Sequence, residues 1–509
     1  MDVSGLYCVA NQRFLCQIVS RPSLRALRLG FSPTRPPASP QLTYFKTRVT
    51  KTGFSFVKST PIFLVYRAHY PYDATTLMEA HRPPPATTAH SATGFAPATK
   101  SSPFAFTVVT ALFFMWGFVT VLNDILVPHL KAIFDLTYTK VMLIQFAFFS
   151  AYFIFSLPSA KLVDTIGYKK TMVVGLLTMG AGALLFIPAA SAPSFPLFLT
   201  ALMILAAGIT ALQVAANPYV AVLGPPETAS SRLNLTQAFN SLGTTIGPYL
   251  GGMFILSAAP QSMDVVRQMG AQALQSYRVQ EASSVKLPYL GIGLLLVALA
   301  VAIGLANLPA MPQERHAGGP STGVLKYRHL VLGAVAIFVY VGAEVSIGSF
   351  LVNYFILPNI GNITEQSAAR YVSFYWGGAM VGRFIGAAVL RKVRTEYVLA
   401  FAGVVAALLV CTSMLTQGNL AMWSIIAVGL FNSIMFPSIF TLGIAKLGPL
   451  TGDGSGILVM AIVGGAILPV LQGSLADRLG IHHAFILPVI CYLYIVYYAL
   501  KGSKPMVSA

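Results

Sequence analysis

A single carboxylate lies inside a long apolar stretch of this chain. Residues 104–137 read FAFTVVTALFFMWGFVTVLNDILVPHLKAIFDLT, so Asn123 and Asp124 interrupt an apolar run that resumes at 125–127. A helix that rises about 1.5 Å per residue crosses about 30 Å of hydrocarbon with such a run. A charged side chain there costs on the order of 3 kcal/mol on insertion scales. Burial disfavours the charged form, so Asp124 takes up a proton readily and is predicted to couple proton movement to another task.

Two further charges fall inside predicted membrane spans. Glu344 lies in YVGAEVS at 340–346, and Arg383 lies in the following span. Glu344 is predicted as a second coupling carboxylate, and the alternative is a buried ion pair with Arg383. Arg383 is predicted to anchor the structure or to take part in gating.

Carboxamides concentrate on two neighbouring spans. Gln213 and Asn217 are four residues apart, and Gln237 and Asn240 are three apart, so each pair shares one helix face. Carboxamides offer both donors and acceptors, which suits an uncharged, polyhydroxylated ligand, and neither face carries Lys or Arg. The alternative is hydrogen bonding between helices.

Three further residues complete the predicted ligand site. They are Asn123, Gln145 and Trp376, the last of which could stack on the apolar face of a sugar ring. Core or lipid packing is the alternative for the ring.

A short loop carries charges beside a glycine, which is expected to form a turn. Residues 164–170 read DTIGYKK, and Asp164 and Lys169 there are predicted to latch one half of the molecule against the other. The alternative is that Lys169 only marks the cytoplasmic side. A similar stretch around Asp477 falls on the opposite side and is given no such role.

The elements that position these residues are membrane spans. The chain has 509 residues, 56% hydrophobic and 9% charged, whereas soluble domains carry about 25% charged residues. We therefore expect an all-α polytopic membrane protein with 12 transmembrane helices in two six-helix bundles. The spans are placed near 104–128, 140–163, 169–190, 195–222, 232–258, 287–308, 329–356, 367–390, 397–416, 420–446, 455–476 and 483–500.

The spans divide the chain into four parts. Residues 104–308 form the predicted N-terminal bundle, 309–328 a cytoplasmic linker, and 329–509 the C-terminal bundle. With the N-terminus inside, fourteen Lys and Arg residues fall on the cytoplasmic side and seven on the other, which favours two cytoplasmic termini. The loop 259–286 is expected outside.

Residues 1–103 form a basic extension with twelve Lys and Arg residues and three acidic ones. The segment lacks the layout of a secretory signal and is expected to be disordered or non-native, with translation starting at Met78. A transit peptide is the alternative. No nucleic-acid fold signature accompanies the charge, so no nucleic-acid partner is expected. The four cysteines and eight histidines form no metal or catalytic pattern.

The two halves repeat one another. PYVAVLG at 218–224 aligns with PSIFTLG at 437–443, and Pro248 and Pro469 each precede a glycine by four residues. The offsets are 219 and 221 residues. A constant offset between two six-span halves is typical of duplicated transporter bundles.

Four stretches resemble the fucose–galactose–glucose:proton symporters of the major facilitator superfamily. They are LNDIL at 122–126, QVAANPYV at 213–220, RLNLTQAFNSLG at 232–243 and PSIFTLG at 437–443. The resemblance implies a protonatable coupling role for Asp124 and a sugar-cavity position for Gln237 and Asn240. Fucose-transporting members carry a second coupling Glu where this chain has Gln213. With YVGAE at 340–344, the pattern is more similar to the bacterial glucose/galactose branch.

The expected function is uptake of a neutral hexose by cation symport in the bacterial inner membrane. Glucose or galactose is the expected sugar, and the proton is the expected ion. L-fucose transport and Na⁺ coupling are alternatives, as are a non-transporting sugar sensor, a drug exporter and a membrane enzyme. No resident cofactor or metal is expected, and the protein is expected to act as a monomer.

Overall fold

Helices build most of the chain that the structure describes. The computed structural model describes residues 102–134, 138–191, 194–255, 265, 268–283, 286–311 and 322–505, although some side chains within its helices lie outside that description. The basic extension therefore lies outside the described residues up to residue 101, as does most of the predicted linker, at 312–321. Their predicted boundaries stay predictions.

The described residues of the N-terminal half contain seven helices. They are α1 (Pro103–Phe134), α2 (Tyr138–Ile166), α3 (Tyr168–Ser191), α4 (Phe195–Val222), α5 (Ala229–Ile255), α6 (Ala271–Ser283) and α7 (Lys286–Leu305).

The C-terminal half contains nine helices in the described residues. They are α8 (Arg328–Phe355), α9 (Glu365–Val389), α10 (Thr395–Leu415), α11 (Gly418–Asn432), α12 (Met435–Gly443), α13 (Thr451–Met460), α14 (Gly464–Leu479), α15 (Ile481–Ala484) and α16 (Ile486–Tyr497).

Twelve spans account for the long helices once interrupted ones are joined. The pairs α11–α12, α13–α14 and α15–α16 each form one span, and α6 is too short and polar to form one. The loop expected at 259–286 thus contains a helix, because its Ala, Gln, Arg and Glu residues are good helix formers.

Ten spans in the described residues are long and apolar enough to cross a membrane by themselves. The helices α5 and α9 are not among them, because amides, hydroxyls and Arg383 dilute their apolar residues. These two helices pack against each other between the halves. Polar side chains are therefore concentrated at the inner contact of the bundle, away from lipid.

Helix packing repeats between the halves. In the first half α1 packs on α5, α2 on α4, and α3 on α7. In the second half α8 packs on α14, α9 on α11, and α10 on α16, which are the corresponding spans. The halves meet through α5 with α9 and α2 with α13. The two six-helix bundles predicted from the sequence are confirmed.

The repeated prolines each free one backbone carbonyl. Pro218 lies inside α4, and Pro437 lies just after the break between α11 and α12. A proline has no N–H, so the carbonyl four residues earlier lacks its helical donor. Those carbonyls belong to Val214 and Ser433.

Both freed carbonyls accept hydrogen bonds from side chains of other helices. The Ser455 hydroxyl on α13 donates to Val214 at 2.8 Å. The Arg383 Nε on α9 donates to Ser433 at 3.3 Å. The repeated motif therefore creates one acceptor in each half, and a neighbouring helix supplies the donor.

Glycines allow α3 and α4 to approach closely. A Cβ added to Gly208 would lie 2.5 Å from the Met179 backbone nitrogen. A Cβ added to Gly182 would lie 2.5 Å from the Leu205 nitrogen. Each of these contacts involves backbone atoms, which cannot move aside as a flexible side chain can.

We expect Gly208→Val to lower the apparent melting temperature of the purified protein, because overpacking of this kind costs about 1–3 kcal/mol. Size-exclusion chromatography after stepwise heating in detergent measures the effect. Gly304→Val in α7 is the matched control, since nothing lies within 4 Å of a Cβ built there. Equal losses in both variants would contradict close packing as the cause.

Candidate functional site

The four carboxamides of α4 and α5 are the first candidate site, and we call them the amide cluster: Gln213, Asn217, Gln237 and Asn240. Gln213, Asn217 and Gln237 are buried, with exposed fractions of 4%, 0% and 5%, and Asn240 is half-buried. The described residues show no hydrogen bond that joins two side chains of the cluster directly. Neighbouring helices hold the side chains of Gln213 and Asn240, while Asn217 has no hydrogen-bond partner in the described structure.

Gln213 is held by a tyrosine that the sequence analysis missed. Its Nε2 donates to the Tyr152 hydroxyl on α2 at 2.9 Å. Tyr152 is itself 4% exposed and packs edge-on against Phe148, with ring centroids 5.6 Å apart. This contact leaves the Gln213 Oε1 atom as an acceptor for another group.

Asn217 lies one turn after Gln213 on the same face of α4. Its Nδ2 and Oδ1 atoms are both buried and have no hydrogen-bond partner in the described structure. An unpaired buried amide costs about 1–3 kcal/mol, so the fold itself gives no reason to keep this side chain. Asn217 is therefore the member of the cluster that most needs a partner from outside the protein.

The amides of α5 contact other helices in two ways. Asn240 Nδ2 donates to the Phe113 carbonyl on α1 at 2.9 Å, which ties α1 to α5. Gln237 accepts through its backbone carbonyl from Arg383 Nη1 at 3.4 Å. Asn240 thus has a structural contact in addition to its predicted role in sugar binding.

The predicted coupling residue Asp124 and its neighbour Asn123 belong to the helix α1. Their side chains lie outside the described residues, as does the side chain of Gln145 on α2. The roles given to these three side chains stay predictions.

Arg383 connects the two halves. Besides the Gln237 carbonyl on α5, it donates to the Ser241 hydroxyl on α5 and to the Ser433 carbonyl at the α11–α12 break. All of these acceptors are uncharged oxygens of the protein. This arrangement supports the predicted structural or gating role of Arg383.

Glu344 does not form the ion pair that was the alternative for it. No salt bridge within 4.0 Å joins Glu344 to Arg383, although the two charges are close enough to interact electrostatically. One carboxylate oxygen of Glu344 is buried without a hydrogen bond in the described structure. Glu344 is therefore available for a role other than ion pairing.

Trp376 packs within the C-terminal half. Its ring lies 5.1 Å from the Tyr375 ring and against the backbone of Gly348 on α8. The side chain is 45% exposed. The structure does not bring it into contact with the amide cluster.

A groove of about 470 Å³ lies between α1 and α5. Its lining is almost entirely apolar and includes no member of the amide cluster, so a polar ligand has little to bind there. The lining residues are Phe106, Thr107, Thr110, Ala111, Phe114, Phe239 and Leu242.

The loop between α2 and α3 marks one end of the bundle, which we call the Asp164 end. Gly167 in this loop has φ +91°, a conformation that favours glycine, so the predicted glycine turn is present. Asp164 closes against the first turn of α13, since a Cβ added to Gly452 would lie 2.7 Å from its Oδ1. A carboxylate at a helix N-terminus is stabilised by the helix dipole. Lys169 is half-buried in the first turn of α3.

Hydroxyl side chains join the halves on the same side of the bundle. Ser156 donates to the Gly456 carbonyl at 2.6 Å, and Ser231 donates to the Ala387 carbonyl at 2.5 Å. Ser230 is 2.5 Å from the Thr441 hydroxyl. Because successive spans run up and down, these contacts all lie toward the Asp164 end. The two halves are therefore closed against each other there.

The fold and these contacts define a multi-pass helical membrane protein made of two duplicated bundles that close on one another. The family model for the Major Facilitator Superfamily matches residues 104–462, and the chain belongs to that superfamily. The superfamily recognised from the sequence motifs is thus confirmed. Membership of a transporter superfamily excludes the membrane enzyme considered above.

Two relatives extend the likeness over nearly their whole length. A glucose/galactose transporter of Brucella abortus is 54% identical over 407 residues, which are 80% of this chain and 95% of that protein. An L-fucose-proton symporter of Escherichia coli is 35% identical over 415 residues, which are 80% of this chain and 94% of that protein.

A solved structure shares the architecture. The crystal structure of the Major Facilitator Superfamily transporter FucP in the outward conformation gives a TM-score of 0.75 at 35% identity. It covers 80% of this chain and all of that one.

We expect Asp164→Asn to weaken closure at the Asp164 end, because it removes a charge beside the α13 N-terminus. Such charge–dipole contacts are worth roughly 0.3–1 kcal/mol, which corresponds to a roughly two- to fivefold faster reaction of a thiol protected by closure. Maleimide labelling of Ser231→Cys, in a chain without the four native cysteines, measures this rate. Asp477→Asn serves as control, because Asp477 is exposed and lies at the end of its span that is far from the Asp164 end. An unchanged rate in Asp164→Asn would remove Asp164 from the closure.

Proposed function

We propose that this protein is a secondary transporter that carries a neutral hexose, glucose or galactose, into the bacterial cell by symport with a proton. The observation that carries the proposal is the 54% identity to a named glucose/galactose transporter over 95% of that protein. The geometry then suggests which side chains meet the sugar and which meet the proton.

The amide cluster suits an uncharged ligand. Asn217 contributes a donor and an acceptor that no described group satisfies, and Gln213 is oriented by Tyr152. The nearby cation, Arg383, has donors bound to protein oxygens on α5 and at the α11–α12 break. An anionic substrate would need a cation with free donors, and a hexose does not.

The transport cycle follows from the closed Asp164 end. Lys and Arg placement favours a cytoplasmic position for this end and for both termini. Sugar and proton then enter from outside, with Asp124 neutralised by the proton. A bare carboxylate disfavours the closed, dehydrated intermediate, so the halves rock only when the proton is bound. Breaking the hydroxyl contacts at the Asp164 end releases both ligands inside.

The proton is a co-substrate, so the transporter needs no resident cofactor. Each chain contains both halves and its own site, and we propose that it works as a monomer in the inner membrane. Na⁺ coupling is the alternative for the ion.

L-fucose is the second candidate substrate, because an L-fucose-proton symporter is 35% identical over 94% of its length. The amide Gln213 cannot titrate where the fucose-transporting members resembled by this chain carry a second coupling glutamate. This difference favours glucose or galactose over fucose.

Uptake into membrane vesicles tests the whole proposal. Radiolabelled glucose, galactose and fucose are offered in turn, with pH and sodium gradients imposed separately. We expect accumulation of glucose or galactose driven by an inward proton gradient. Accumulation driven by a sodium gradient alone would show that Na⁺ is the coupling ion. Sugar binding without flux would instead identify a sensor.

We expect Asp124→Asn to abolish concentrative uptake while sugar counterflow continues, because the neutral amide mimics the protonated acid. Both fluxes are measured in the same vesicles, with Asp477→Asn as the matched control. Full accumulation by Asp124→Asn would show that Asp124 does not couple the proton.

We expect Asn217→Leu to weaken sugar binding about tenfold or more without loss of thermal stability. A hydrogen bond to a ligand hydroxyl is worth about 0.5–1.5 kcal/mol, and the leucine also leaves the sugar group unpaired. Equilibrium binding of labelled sugar and the melting temperature are measured together. Asn234→Leu is the control, since its Nδ2 donates to the Ser230 carbonyl at 2.9 Å and stability should fall instead. Unchanged affinity in Asn217→Leu would place the sugar elsewhere.

A further inference from the structure

A second set of buried polar groups surrounds Glu344 in the C-terminal half. We call it the Glu344 cluster: Tyr340 and Glu344 on α8, Tyr375 on α9, Asn432 on α11 and Tyr492 on α16. Asn432 Nδ2 donates to the Tyr375 hydroxyl at 2.8 Å, and that hydroxyl donates to the Glu344 backbone carbonyl at 3.4 Å. None of these residues belongs to the amide cluster.

The cluster is unusual because its polar atoms are poorly paired. Glu344 Oε1, Asn432 Oδ1 and the hydroxyls of Tyr340 and Tyr492 are buried without a hydrogen-bond partner in the described structure. Tyr340, Asn432 and Tyr492 are exposed by 1%, 0% and 0%. Tyr340 lies four residues before Glu344, on the same helix face, so small movements would let its hydroxyl donate to the carboxyl group.

The charge of Glu344 has no counter-charge in contact with it. Arg383 interacts with it electrostatically, yet the Arg383 donors are bound to Ser241, Gln237 and Ser433. Inside a membrane-spanning helix, an ionised carboxylate without a counter-charge in contact costs several kcal/mol. The arrangement seen here therefore suits a neutral, protonated Glu344.

Four titratable groups among the described residues face Glu344, and one of them is a cation. Facing it are Tyr340 on its own helix, Arg383 and Tyr375 on α9, and Tyr492 on α16. Tyrosines are ordinarily neutral near pH 7, since the phenol pKa is about 10 in model peptides. A negative charge on Glu344 would thus interact mainly with the positive charge of Arg383.

We propose that Glu344 carries a second transported proton, and that Arg383 converts its loss into opening between the halves. The O–H bond of the Glu344 carboxylic acid breaks, the proton passes to water on the receiving side, and a carboxylate remains. Arg383 then turns from the α5 oxygens of Ser241 and Gln237 to this carboxylate. A contact between the halves is exchanged for an ion pair within one half, which favours opening. This inference rests on the proposed proton symport.

Infrared difference spectroscopy tests the proton on Glu344 without requiring transport or a known sugar. The full chain with Asp124→Asn is reconstituted in lipid, and spectra are compared between acidic and alkaline pH. We expect a protonated carboxyl band that disappears as pH rises and that is lost in Asp124→Asn/Glu344→Gln. The control Glu396→Gln removes a solvent-accessible carboxylate bonded to Arg394 at 3.2 Å and should keep the band. The same band in the presence and absence of Glu344 would overturn the proposal.

Labelling of Ser231→Cys tests the step assigned to Arg383. All variants carry Asp124→Asn, and each rate is divided by that of free glutathione at the same pH, because maleimide reacts with the thiolate. This ratio should rise with pH when Glu344 is present and become independent of pH in Glu344→Gln, which is permanently neutral. An equal pH dependence in both would refute the exchange. Size-exclusion chromatography and melting temperature establish that Glu344→Gln is folded.

Proton counting separates this inference from the proposed function. In proteoliposomes, Glu344→Gln should move fewer protons per sugar than the parent. A parent that moves no sugar would contradict the proposed function, while the infrared result would still decide whether Glu344 holds a proton. Unchanged proton counts in Glu344→Gln would show that its proton is not transported.

Discussion

Every backbone polar group inside a bilayer needs a hydrogen-bond partner within the protein, and two prolines in this chain each leave one carbonyl without its helical partner. Pro218 and Pro437 occupy the same place in the two halves, and each removes the donor for the carbonyl four residues earlier. Ser455 and Arg383 supply the missing donors. The first of these bonds crosses between the halves, and Arg383 also binds α5 across the same interface. Some of the same hydrogen bonds thus both satisfy a carbonyl freed by proline and hold the two halves together.

The two polar clusters differ in how completely they are paired. In the amide cluster, Gln213 and Asn240 have protein partners, and Asn217 does not. In the Glu344 cluster, a chain of hydroxyl and amide groups surrounds one carboxyl group that lacks a counter-charge in contact. Unpaired buried groups cost stability, so they are expected where a ligand or a proton completes the bonding during function. The sugar would then bind in the N-terminal half, and the second proton would bind in the C-terminal half.

The sequence predicted the spans, the duplicated bundles and the glycine turn of the Asp164 loop, since length, repeat offset and residue type determine these features locally. It also indicated Glu344 and Arg383 as special, because charges are rare in spans. The sequence could not predict which side chains become hydrogen-bond partners across helices. Tyr152 is 61 residues from Gln213, and Ser156 is 300 from Gly456. Helices that are apolar all round do not reveal which face turns inward, so the rotation that joins such partners is absent from the pattern.

Four side chains that form hydrogen bonds between the halves share one chemical trait. Ser156, Ser231, Ser455 and Arg383 each donate to a main-chain carbonyl on the opposite half. A main-chain acceptor persists whatever side chain its residue carries. A substitution at an acceptor position therefore keeps the acceptor, whereas a substitution at a donor position can remove the donor. Descendants of an ancestral duplication could diverge widely in lipid-facing and lining residues while keeping the same closing geometry.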